Sequence, residues 1–135
     1  MNKFLFTGLF CALAACALSG GASAQRKAAA QSNPCEEART QSELNECADR
    51  EYKKADAELN RAYQQLMRAS GGSDAKLKTA QLAWIKFRDA ECDYEAAGAE
   101  GGSMQPMVYS FCLADVTKAR TKQLRDALKE VQAQE

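Results

Sequence analysis

Between residues 40 and 69, Leu44, Ala48, Tyr52, Ala55, Leu59, Ala62 and Leu66 recur at intervals of three and four, and similar patterns follow twice before the chain ends. Such spacing gathers apolar side chains into one stripe of an α-helix, so the chain has three stripes to bury against one another. Thr40 and Glu43 have the separation of a capping box at the start of the first helix, and Ser70, Gly71 and Gly72 stop it. The second helix is predicted over residues 74–97, with Leu77, Trp84, Phe87 and Ala90 or Glu91 marking its buried face, and it gives way to Gly98, Gly101 and Gly102. The third begins near Pro106, with Ser103 as its cap, and runs through Val108, Cys112, Val116 and Ala119 or Arg120 to Leu124 and Leu128. No strand pattern remains. Short connections make consecutive helices antiparallel, so the expected fold is all-α, an antiparallel three-helix bundle with Leu59, Tyr63 and Trp84 in its core.

Residues 1–24 read as a secretory signal peptide, with Lys3 ahead of an apolar run and Ala22, Ser23 and Ala24 forming a cleavage site before Gln25. The apolar run is shorter than the roughly 20 residues a membrane span needs. Leu13, Ala14, Ala15 and Cys16 offer a rival cut, a lipobox in which Cys16 carries a lipid anchor. The expected location is therefore periplasmic or secreted, or, with the rival cut, lipid-anchored to the envelope. Residues 25–34 follow as a flexible linker, 35–130 as the helical domain and 131–135 as a tail. Cys35, Cys47, Cys92 and Cys112 remain after cleavage, an even set in an exported chain, which reads as a disulfide framework. Three pairings are possible, and sequence proximity favours Cys35–Cys47 with Cys92–Cys112. A four-cysteine zinc site is the competing reading, but it expects close C-x₂₋₄-C pairs, and these spacings are longer. Two disulfides would support a core that its many alanines keep small.

Composition narrows the function. Eighteen Lys and Arg balance eighteen Asp and Glu, leaving none of the basic excess that marks a nucleic-acid partner. Histidine is absent from all 135 residues, which removes Ser-His-Asp and Cys-His catalysis and the commonest zinc ligand. A catalytic carboxylate at Asp56 would need a second carboxylate on the same helix face, and its motif holds none. No enzyme, cofactor or metal is expected.

Four motifs stand in order: Asp56-x-x-Leu59-Asn60-x-x-Tyr63, Gln81-x-x-Trp84-x-x-x-Arg88-x-x-x-Cys92, Gly101-Gly102-Ser103, and Cys112-x₄-Thr117-x-x-Arg120. Together they resemble the LprI-type lysozyme-inhibitor-like domain of bacterial envelope proteins, over nearly the whole chain that follows the signal. The resemblance implies an all-helical periplasmic or lipid-anchored domain, with lysozyme inhibition as the activity of the family's namesake. It brings no inhibitory motif with it.

Asp56 and Asn60 flank the seam of the first helix, while Gln81 and Arg88 lie seven apart on one side of the second. With Thr117 and Arg120 they are expected to form a structural polar network that sets helix register. In an antiparallel bundle, residues 35–51 and 86–116 share one end, which holds twelve acids and four bases, a net of −8. The remaining helical segments, 52–85 and 117–135, hold eleven bases and six acids, a net of +5. Asp89, Glu91, Asp93 and Glu95 sit at a helix C-terminus, where the dipole is already negative, and invite a basic partner. The expected partner surface is Glu91, Asp93, Glu95 and Glu100 with the loop Gly101, Gly102 and Ser103, which would offer backbone N–H groups and a hydroxyl to the cleft of a basic lysozyme.

Overall fold

The computed structural model describes residues 35–134. Its helices are α1 (Gln41–Ala69), α2 (Asp74–Ala96) and α3 (Gln105–Gln132), with short 3-10 turns at Gly71–Ser73 and Ala97–Ala99 and no strand among the described residues. The signal peptide expected at 1–24, with Cys16, and the linker expected at 25–34 lie outside the described residues.

The capping box forms as its spacing predicts. Thr40 Oγ1 accepts from the Glu43 N–H at 3.2 Å, and Glu43 Oε2 accepts from the N–H groups of Thr40 at 3.0 Å and Arg39 at 2.7 Å. At the other end of α1, the N–H and hydroxyl of Ser70 both donate to the Leu66 carbonyl, and Gly71 takes φ +52°, a conformation that side chains disfavour. The start of α3 departs from expectation. Met104 occupies the N-cap position without a side-chain bond, and Pro106 lies in the first turn. Ser103 does not cap the helix, because it lies one residue outside the cap position, and Gln105 reaches back to accept the Gly101 N–H at 3.0 Å and closes the loop. At its C-terminus α3 extends to Gln132, and Val131 packs against the core, so the helix enters the stretch expected as a tail.

Asn45 Nδ2 donates to the Ser103 carbonyl at 3.1 Å, and Gln41 Nε2 lies 3.7 Å from Met107 Sδ. Thus α1 and α3 start at one end and run parallel. The Cys92–Cys112 disulfide brings the end of α2 to the same place, so α2 is antiparallel to both. Helices α1 and α3 lie alongside each other over most of their lengths, whereas α2 packs chiefly on α3 and touches α1 at few positions. The buried residues Ala48, Ala55 and Ala62 on α1, with Ala114, Thr117 and Thr121 on α3, allow this close approach.

The core falls into two apolar clusters. Leu59, Ala62, Leu66 and Leu124 form one, with Tyr63, Leu77 and Trp84 packed against it. Cys92, Cys112 and Leu113 form the other, beside Tyr52, Tyr109 and Val116. Leu59 is buried as expected, but Tyr63 and Trp84 are half-buried at the rim. The face of α2 differs more. Phe87, 57% exposed, and the exposed Ala90 point away from the bundle, because Gln81, Arg88, Cys92 and Ala96 make the inner face.

Candidate functional site

The end where α1 starts, α2 stops and α3 starts is the end stapled by both disulfides. Cys35 pairs with Cys47 and Cys92 with Cys112, with Cα atoms 5.8 and 5.5 Å apart. Of its four bases, Arg88 is buried and turned inward, its Nη2 2.7 Å from Asp89 Oδ1. Asp93, Glu95 and Glu100 are exposed, while Glu91 is half-buried. Two apolar side chains stand among them that the sequence reading did not single out: Tyr94, 79% exposed, and Met104, 50% exposed. The placement of Tyr94 between Asp93 and Glu95, in the last turn of a helix, was the available signal.

Gly101, Gly102 and Ser103 are exposed and tightly held. Gly101 adopts φ +72°. Its N–H donates to Gln105 Oε1, and the Gly102 N–H donates to the Ala99 carbonyl at 3.0 Å. These two N–H groups are therefore committed inside the loop and are not offered to a partner, contrary to expectation; the turn must satisfy its own donors first. What the loop presents is shape, with Ser103 anchored through its carbonyl to Asn45.

The motif residues form a polar belt between the two apolar clusters, in two parts. In one, Asn60 Nδ2 donates to Asp56 Oδ2 at 2.9 Å, and Arg88 Nη1 lies 3.8 Å from Asp56 Oδ1. In the other, Arg120 Nε donates to Gln81 Oε1 at 3.1 Å. Trp84 joins the parts, with the Arg88 guanidinium 5.3 Å from its ring centroid and that of Arg120 5.9 Å away. Arg88 also lies 5.6 Å over Tyr52. Burial raises the Tyr52 and Tyr109 hydroxyl pKa values and lowers that of Arg120. Thr117 is the exception: its side chain is fully buried, and Oγ1 finds no hydrogen-bond partner among the described residues.

A shallow groove of about 260 Å³ opens over the belt, lined by Asp56, Asn60, Tyr63, Gln81, Leu82 and Arg88 among others. A larger one, about 430 Å³, lies between α1 and α3 and is ringed by lysines. Several are already paired, and Lys122 and Lys129 hold the Asp126 carboxyl below its usual range. No group of three or more acids or cysteines among the described residues is placed to hold a metal ion, and no described helix is long and apolar enough to cross a membrane.

Residues 32–124 match the family described as Lysozyme inhibitor LprI. An uncharacterized protein of Rhizobium meliloti strain 1021 is 40% identical over 108 residues, covering 70% of this chain and 78% of that protein. The crystal structure of a DUF1311 family protein from Pseudomonas putida KT2440 has the same fold, with a TM-score of 0.63 and 23% identity over 67% of this chain and 96% of that one. With three helices, two disulfides and a family match over most of its length, the chain belongs to the LprI lysozyme-inhibitor family.

Proposed function

We propose that this protein inhibits lysozyme by docking its acidic, disulfide-stapled end on a basic lysozyme and occluding the substrate cleft. The observation that carries the reading is the composition of that end: twelve acids against four bases, with Tyr94 and Met104 exposed among them. A field of one sign steers a basic partner into encounter, and exposed apolar anchors inside it supply the contacts that slow dissociation. Two disulfides and an internally bonded loop keep the surface ordered before contact, which lowers the entropic cost of binding. The binding residues in this reading are Glu91, Asp93, Glu95, Glu100, Gly101, Gly102 and Ser103, and the polar belt is structural. Export through residues 1–24, to the periplasm or medium or to a lipid anchor at Cys16, would bring such an inhibitor to where lysozyme acts.

The test is a titration of oxidised protein against an animal-type lysozyme at low and moderate salt, with reduced protein as control. Saturable, salt-sensitive inhibition that is lost on reduction supports the reading. Glu95→Lys with Glu100→Lys should weaken it by about tenfold and flatten its salt dependence. Unchanged inhibition by that variant rejects this surface. No inhibition at large molar excess removes lysozyme as the partner and leaves a non-catalytic module that binds another envelope protein or peptidoglycan.

A further inference from the structure

Helix α2 is apolar on the wrong side. Its inner face carries Gln81 and Arg88, while Ala80, Ala83, Phe87, Ala90, Tyr94 and the following Ala97 are all exposed. Their spacing alternates three and four over the whole run, the a/d repeat of a coiled-coil seam, and the two aromatics on it are 57% and 79% exposed. A single exposed Phe is unremarkable. A straight apolar seam from Ala80 to the end of the helix, with no element of the described chain over it, is a face that lacks its partner.

The geometry points to a second copy of this chain as that partner, with the two α2 helices packed antiparallel about a two-fold axis. Size selects this arrangement, and charge fits it. When Phe87 of one copy faces Ala90 of the other, Ala83 faces Tyr94 and Ala80 faces Ala97, so every aromatic meets an alanine and only the outermost Ala80–Ala97 layers set small against small. In the parallel arrangement Phe87 would meet Phe87 and Tyr94 would meet Tyr94, with alanine layers left underfilled between them.

Beside the seam lie Lys86 and Asp93, both exposed and neither in a salt bridge within the described chain. In the antiparallel register, at about 1.5 Å rise per residue, Lys86 comes within about 3 Å along the axis of Asp93 of the second copy, and the symmetry makes the contact twice. Four of the six seam positions are alanine, so the contact is shallow and the dimer dissociates at micromolar concentration. The dimer face shares Tyr94 and Asp93 with the surface proposed above to dock lysozyme, so dimer and lysozyme complex would compete for them, but the dimer and its test require no lysozyme.

Sedimentation velocity on the purified, oxidised protein, over low-micromolar to millimolar concentration, tests it. The expected result is a monomer that doubles in mass as concentration rises. Phe87→Glu, on an exposed side chain, should leave helical circular dichroism unchanged and abolish the dimer. Lys86→Asp should weaken it by about tenfold, and Lys86→Asp combined with Asp93→Lys should restore it, because the swap re-forms both pairs. A monomer at every concentration overturns the proposal, as does a dimer that survives Phe87→Glu. A double swap that stays as weak as Lys86→Asp overturns the antiparallel register.

Discussion

Arg88 concentrates the chemistry of the bundle in one side chain. Its guanidinium is buried, donates twice to Asp89 Oδ1 at 2.9 and 2.7 Å, stands near Asp56 and lies against Trp84 and Tyr52. A planar fork between two aromatic faces is something an ammonium cannot reproduce. Arg88→Lys should therefore cost about 2 kcal/mol in urea unfolding although it keeps the charge. Arg88→Ala should cost about 3 kcal/mol, since it removes a buried side chain packed against Trp84 and Tyr52. Thr117 is the opposite case, a buried hydroxyl that does not bond the carbonyl four residues back as helical threonines commonly do. Thr117→Val keeps the shape and removes the unpaired oxygen, so it should raise stability by about 1 kcal/mol, read as a higher melting temperature. The need for Arg88 was visible as a motif in the sequence. The idleness of the Thr117 hydroxyl was not, because it depends on which polar groups the packed helices leave within reach.

Among the elements, α1 was the most legible. Its seam and its capping box required only local spacing: the box forms, and of the seven seam positions five are buried while Leu44 and Tyr52 are half-buried. The cap also links the fold to pH. Two backbone N–H groups hold the Glu43 carboxyl below its usual range. A carboxylate whose pKa falls on folding stabilises the fold above its unfolded value and ceases to do so as pH drops through its folded value. Stability should thus decline on acidification below the ordinary glutamate range, and Glu43→Gln should remove that part of the decline in a pH series of thermal melts. Thr40→Ala, which removes the other half of the box, should cost about 1 kcal/mol at neutral pH. Helix α2 was the least legible. Two apolar patterns overlap on it, and periodicity alone cannot say which faces inward. The choice was made by Arg88 and Gln81, whose partners Asp56 and Arg120 lie on the other two helices and turn the Phe87 stripe outward.

At the scale of the whole molecule, the two disulfides and the charge distribution act on the same end. Replacing Cys92 and Cys112 together by serine frees a loop with a sequence separation of 20 and should cost about 3 kcal/mol, measured by chemical unfolding of the otherwise oxidised protein. The all-α class, the three helices, the stop at Gly71 and a disulfide framework of four cysteines follow from the sequence by itself, because periodicity, caps and compartment arithmetic are local or compositional, whereas which of the three pairings forms is decided by the fold. The pairing of α1 with α3, the splitting of the core by a polar belt and the inward turn of Arg88 were decided only in three dimensions. So was the internal bonding of the Gly101 and Gly102 amides. Each depends on which side chain from a distant segment arrives to satisfy a buried or committed group, and that long-range competition is written in no single stretch of the chain.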